Sequence, residues 1–155
     1  MPNVANAALA APTHPAAVAG GLIISALDQE RLVPLIERMY LRDHSIHVSA
    51  GAVLRRLRAA SPVPPEAIPP TLVTMNSTVV LHNIDSGERR EATLVYPEDH
   101  DPSEGCWSVL CPLGAAIFGV QVGDPVVLEV EGWSVGRWVL AELAFQPEAR
   151  GWLTM

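Results

Sequence analysis

Five prolines fall within the ten residues 61–70, SPVPPEAIPP. Each proline fixes φ and removes an amide donor, so neither a helix nor a central strand runs through such a stretch. The stretch reads as a stiff linker and as the boundary between two parts with different periods. Upstream, Leu27, Leu32, Leu35, Ile36 and Met39 recur at helical spacing, with Glu30, Arg31, Glu37 and Arg38 between them. Ser25 with Asp28 three residues on reads as a capping box, and Pro34 predicts a kink. A polar break, Arg42-Asp43-His44-Ser45, precedes a second helix over about residues 49–60. That helix turns Val53, Leu54 and Leu57 inward and Arg55, Arg56 and Arg58 outward. Residues 21–60 thus read as a short antiparallel helical hairpin. Residues 1–20 are rich in Ala and Pro, carry no charged side chain and read as a disordered leader.

Downstream the period drops towards two. Strands are expected over residues 77–84 and 89–96, joined by a turn at Asp85-Ser86-Gly87. An acidic loop over 97–105 leads to a short strand at 106–110. Pro112 opens one short helix, which Gly119 stops. Further strands follow over 125–130 and 136–145. Five strands and a helix give an α+β domain over residues 71–155. A length of 155 residues fits one domain with a small appendage.

All ten basic residues are arginine. A chain without lysine has no Schiff-base lysine, no phosphate-cradling P-loop lysine and no kinase β3 lysine. Residues 1–69 hold six arginines against five acids, a balance of +1, and residues 70–155 hold four against twelve, a balance of −8. The acidic half repels phosphate backbones, so direct sequence-specific nucleic-acid binding is not expected. No apolar run reaches the roughly 20 residues of a membrane span. The N-terminus lacks the basic region of a signal peptide. Cys106 and Cys111, five apart, point to opposite faces of a strand and read as free thiols of a reducing cytoplasm.

No metal or cofactor constellation stands out. Asp43, His44 and His47 are loosely spaced for ligands and read as a solvated hairpin tip. His82 reads as a satisfied sheet histidine, and His100 as a solvent-exposed one. No G-x-S-x-G elbow frames a serine, and no glycine-rich loop has dinucleotide spacing. Trp107, Trp133, Trp138 and Trp152 lack the basic surround of a base-stacking platform. The residues describe a binding module without visible catalytic apparatus.

The runs VTMNSTV at 73–79, DSGE at 85–88, TLVYP at 93–97, PLGAAIFG at 112–119, VGD at 122–124 and FQPEA at 145–149 carry a resemblance. Over about residues 22–150 the chain resembles the nucleoside diphosphate kinase regulator family, within the Gre transcript-cleavage-factor superfamily. The resemblance implies an FKBP-like C-terminal domain behind a helical hairpin, and binding to bacterial RNA polymerase near its secondary channel. It also implies an effect on nucleoside diphosphate kinase levels, although no residue points to direct contact with that kinase. Gre factors dock partly through an acid, a serine and a proline before the short helix. Pro112 matches the proline, while Leu110 and Cys111 stand where the acid and serine would be. The candidate docking residues are therefore Leu110, Cys111, Pro112, Leu113 and Gly114. Arg55, Arg56 and Arg58 are candidates to face the channel.

The Gre hairpin tip holds Mg²⁺ with a pair of acids. The tip here, Arg42, Asp43 and His44, has a single carboxylate beside a cation, a poor site for a hard ion. A helix of about 15 residues reaches only about 22 Å, roughly half of a Gre arm. The implied activity is thus a non-catalytic polymerase-binding regulator that competes with Gre-type factors. Two other readings are an FKBP-like prolyl isomerase, which needs an aromatic pocket, and true transcript cleavage.

Overall fold

The computed structural model describes residues 17–18, 21–42 and 48–152. Strands β1 (Ala17–Val18) and β2 (Gly21–Ser25) lead into helices α1 (Ala26–Arg42) and α2 (Val48–Ala59), followed by β3 (Ser61–Val63). Strands β4 (Thr78–Asn83), β5 (Arg89–Val95) and β6 (Cys106–Ser108) precede the short helix α3 (Pro112–Ile117). Strands β7 (Pro125–Val126) and β8 (Trp138–Phe145) close the chain's second sheet. The rest of the leader lies outside the described residues.

The larger sheet runs in the order β6-β5-β4-β8-β7, antiparallel throughout except for the parallel β5–β6 pair. Along β4 the period-two reading holds, since Val79 and Leu81 are buried and Thr78, Val80 and His82 are half-buried. Asn83 ends the strand. Its buried side-chain oxygen accepts from the amides of Asp85 and Ser86 (2.9 Å each) and so shapes the turn into β5. His82 is not satisfied as expected, because its Nδ1 is buried without a hydrogen-bond partner among the described residues.

The proline-rich stretch does more than space two units. Ser61–Val63 pairs in parallel with β2, in register Ile23 to Ser61, Ile24 to Pro62 and Ser25 to Val63. Pro62 is tolerated because β3 is an edge strand of the order β1-β2-β3, where a missing amide donor leaves no ladder bond empty. Ile68 is buried beyond it, with Leu72, Ile23 and Val63 around it. The stretch read as a stiff linker is therefore also a structural part of the fold.

The hairpin shares its core with the sheet. Leu32, Ile36, Ala50, Val53 and Leu57 are fully buried in one cluster with Val73, Met75, Val79, Leu81, Leu94 and Leu140. Burial of this size stabilises helices that would be marginal alone. Helix α1 is continuous through Pro34. Gln29 on α1 donates to the Leu57 carbonyl of α2 at 2.7 Å, tying the two helices together. The predicted capping box does not form as expected, because the Asp28 carboxylate turns inward and accepts from the Met75 amide at 3.2 Å.

At the other end of the chain, Gln146 is buried. Its amide donates to the carbonyls of Pro69 (2.8 Å) and Leu72 (2.6 Å), pinning the turn that enters the β domain. Gln146→Ala removes two buried hydrogen bonds, the Pro69 carbonyl keeping only the Leu72 amide as donor, and is expected to lower unfolding free energy by about 2 kcal/mol in urea titration.

Candidate functional site

Helix α3 is held from three sides. At its start, Cys111 is the cap residue in extended conformation, and its Sγ accepts from the Gly114 amide at 3.5 Å. Burial pushes the Cys111 thiol up, so it stays protonated. Pro112 fits the first helical position, where no amide is needed. Along its side, Gly114 presses on the backbone of β6, and a Cβ there would stand 1.9 Å from the Ser108 carbonyl oxygen. At its end, Arg56 of α2 donates to the Phe118 carbonyl at 3.0 Å and to the Ala115 carbonyl. These are the acceptors that a helix leaves open at its C-terminus. Burial lowers the Arg56 guanidinium from its ordinary value.

This packing sorts the candidate docking residues. Leu110, Leu113 and Gly114 are buried, Cys111 is half-buried, and Pro112 alone is exposed. The three arginines also divide. Arg56 is corrected from an outward, channel-facing residue to a clamp between the hairpin and α3. Arg58 is exposed and pairs with Glu37 across the hairpin. Arg55 is exposed. Arg42 is exposed at the end of α1, whereas Asp43, His44 and His47 lie outside the described residues.

The exposed Pro112 borders a groove of about 620 Å³, lined also by Leu113, Val127, Leu128, Val130 and Val135. Val127 and Val135 are 93% and 88% exposed. Residues 127–130 alternate as a strand would, exposed at Val127 and Glu129 and half-buried at Leu128 and Val130. The ladder with β8 nevertheless stops at Val126, so the predicted strand over 125–130 is corrected to two residues and a loop. Polar contacts fix the loop's far side. Asn83 donates to the carbonyls of Ser134 (3.3 Å) and Val135 (3.4 Å), and Glu88 accepts from the Ser134 amide at 2.8 Å. The Ser134 contacts hold the Glu88 carboxyl below its ordinary value. Asp85 accepts from the Arg137 amide and guanidinium, which lower the Asp85 carboxyl in the same way. Val127 and Val135 escaped sequence reading because alternation alone does not show which strand lacks a partner.

Three of the four tryptophans pack on one another, while Trp152 meets Phe145. Trp107, Trp133 and Trp138 form a row with centroids 5.9 and 5.5 Å apart, and the Arg90 guanidinium lies 5.3 Å from the Trp133 ring. His100 meets Trp107 edge-on, and its Nδ1 accepts from the Ser108 amide at 2.9 Å. Both cysteines are free. Among the described residues, no group of three His, Cys, Asp or Glu is placed to hold a metal ion, and no helix is long and apolar enough to cross a membrane.

A helical hairpin thus sits on a mostly antiparallel sheet, with one short helix beside an apolar groove. Residues 68–136 match the family described as transcription elongation factor, GreA/GreB, C-term. A solved GreA/GreB factor from Nitrosomonas europaea is similar, with a TM-score of 0.69 and 38% identity over 79% of this chain and 98% of that one. GreA of Desulfovibrio desulfuricans is 41% identical over 58 residues, 37% of this chain and 36% of its own length. The regulator of nucleoside diphosphate kinase of Escherichia coli strain K12 is 39% identical over 130 residues, 84% of this chain and 93% of its own. The chain belongs to the family of nucleoside diphosphate kinase regulators, a branch of the GreA/GreB group.

Proposed function

We propose that the chain is a non-catalytic regulator that binds bacterial RNA polymerase in the cytoplasm, beside the secondary channel, and competes there with Gre-type factors. The observation that carries this reading is the apolar groove between Pro112 and the 127–135 loop, with Val127 and Val135 standing almost wholly in solvent. Exposed apolar side chains around a formed groove mark a protein interaction surface. The acidic balance of residues 70–155 suits a basic partner surface and speeds encounter. Leu110, Leu113 and Gly114 serve by shaping α3, while Pro112, Val127 and Val135 make the contact. Helices of 17 and 12 residues give a hairpin of about 25 Å at 1.5 Å per residue, which supports occupancy of the channel mouth without reach to the catalytic centre. The effect on nucleoside diphosphate kinase named for the relative follows, in this reading, from altered transcription.

Titration of the full chain with core polymerase, with and without a Gre factor, tests the reading. Binding below tens of micromolar and mutual exclusion are expected. The double change Val127→Glu and Val135→Glu alters only exposed side chains, so the fold is retained. It is expected to weaken binding at least tenfold, about 1.4 kcal/mol. Undiminished affinity in that variant would remove the groove from the interface, and no binding by the unaltered chain would remove the polymerase.

A further inference from the structure

The larger sheet ends on β7, whose far side has no neighbouring strand. The Asp124 carbonyl accepts from the Leu140 amide at 3.0 Å, and Val126 lies opposite Trp138. Along an antiparallel strand, the backbone groups of successive residues alternate between its two sides. Those of Asp124 and Val126 therefore face β8. Those of Pro125 face the free side, where a proline leaves no ladder bond empty. Carried through the alternating residues 127–130, the same parity puts the N–H and C=O of Val127 and Glu129 on the free edge. Among the described residues, no backbone group of Val127, Leu128 or Glu129 has a hydrogen-bond partner. The returning arm of this loop is engaged elsewhere. Ser134 donates to Glu88, Arg137 donates to Asp85, and the Arg137 carbonyl accepts from the Ile84 amide at 2.8 Å. The Val130 carbonyl accepts from the Trp133 amide at 3.0 Å and closes the tip. The edge thus runs on for a few residues beyond its own ladder.

Side chains along this edge select what pairs with it. Val127, with Pro112 and Val135, borders the apolar groove. Two residues on, Glu129 is exposed on the same face, and with Glu131 it borders a second hollow of about 260 Å³ beside Trp133. Neither glutamate has an ion-pair partner among the described residues, and residues 125–136 contain no basic side chain. Arg90 and Arg137, which hold the neighbouring turns, are paired with Glu88 and Asp85. A second copy of this chain on the same edge would bring the glutamates of both copies together without a cation. Like charges facing each other across strands are destabilising. We infer that the edge at 127–130 takes up an extended segment of the polymerase as an added strand, with an apolar side chain beside Val127 and, two residues away, an arginine or lysine beside Glu129. Main-chain hydrogen bonds to Val127 and Glu129 supply affinity, and the two side-chain positions supply selection. The inference rests on the polymerase reading for the source of the segment and on the edge itself for its chemistry.

Two probes separate the source from the chemistry, both used with the full chain. The first is core polymerase. In the complex, exchange of the Val127 and Glu129 amides with solvent is expected to slow at least about tenfold. Glu129→Arg changes only an exposed side chain and is expected to weaken binding about tenfold. The second probe, which decides the chemistry if polymerase does not bind, is the capped peptide Thr-Val-Thr-Arg-Thr-Val at millimolar concentration. It is expected to protect the same two amides in NMR exchange spectra, whereas its fully N-methylated form protects neither. The Glu129→Arg chain is expected to prefer the peptide with glutamate in place of arginine. Polymerase binding with both amides exchanging as in the free chain would overturn the added strand and leave the polymerase reading standing. No polymerase binding, with protection by the peptide, would overturn polymerase as the source. Undiminished affinity of Glu129→Arg would overturn the basic side chain. An edge protected by neither probe, or protected instead by self-association of the chain, would overturn the whole inference.

Discussion

Gly114→Ala is expected to destabilise the fold by at least about 3 kcal/mol in urea or thermal unfolding, beyond the usual range for adding one methyl group. The reason is what the methyl would meet. A Cβ at residue 114 would lie 1.9 Å from the Ser108 carbonyl oxygen, 2.6 Å from its carbon and 2.9 Å from the Val109 Cα. All three are backbone atoms, so no side chain can rotate out of the way. The Ser108 carbonyl already accepts from the Cys111 amide at 3.0 Å, and the Ser108 hydroxyl accepts from the Leu110 amide at 3.0 Å. Retreat of this backbone would break the turn that leads into α3, and retreat of α3 would break the Arg56 anchor. Pro112 would move with the helix and the apolar groove would lose one wall. The same substitution is therefore expected to lower polymerase affinity in whatever fraction remains folded. Gly87→Ala is a useful contrast. There a positive φ of 82° makes alanine strained, but a Cβ meets nothing within 4 Å. A smaller loss of about 1 kcal/mol is expected.

The contrast between these glycines shows what sequence can and cannot carry. Gly87 is legible because Asp85-Ser86-Gly87 is turn chemistry between two strands with period two. Gly114 looks like any glycine after a helix-starting proline, and its necessity depends on a strand six residues earlier passing within touching distance. The strands and helices with local signals emerged within a few residues of their bounds, as β4, β5 and the two hairpin helices do. The misreadings have a common cause in tertiary partners. Residues 127–130 alternate like a strand but find no ladder beyond Val126. Ser61–Val63 carries a proline and yet pairs, because it lies at an edge. Asp28 has the spacing of a capping residue, but its oxygen is used by an amide 47 positions away.

Of the groove, the Pro112 side was legible in the sequence and the opposite wall was not. The run PLGAAIFG pointed to α3, and Pro112 does border the groove. Leu110 and Leu113, also candidates, are buried in the core. The groove's other wall comes from Val127 and Val135, whose exposure depends on how the 127–137 loop is held by Asn83, Asp85 and Glu88. Affinity cannot be assigned to residues 71–155 by cutting the chain at 70. That cut would remove Leu32, Ile36, Val53 and Leu57 from the shared core and the Arg56 clamp from α3, so point substitutions are the sound way to divide the roles.

Arg56→Ala is expected to be the second large loss, about 3 kcal/mol, and it separates three arginines that look alike in sequence. Arg56 follows Val53 by three positions and precedes Leu57 by one, so it flanks the buried stripe of α2. Its guanidinium reaches the Ala115 and Phe118 carbonyls at the end of a six-residue helix. Helix ends leave such carbonyls open, and a cation there also suits the negative end of the helix. Truncation would leave two acceptors short of donors and remove the hydrophobic stem from the seam. Arg56→Lys should recover less than half of the loss, because one ammonium cannot reproduce the planar fork that spans two carbonyls. Arg58→Ala removes an exposed ion pair and Arg55→Ala an exposed charge, and each should change stability by no more than about 0.5 kcal/mol. If the clamp also sets the groove, Arg56→Ala should weaken polymerase binding in proportion to the disorder of α3, seen as lost protection of the Phe118 amide, which donates to the Gly114 carbonyl at 3.0 Å. Equal losses across Arg55, Arg56 and Arg58 would instead mean that charge along the hairpin, not the anchor on α3, is what the arginines supply.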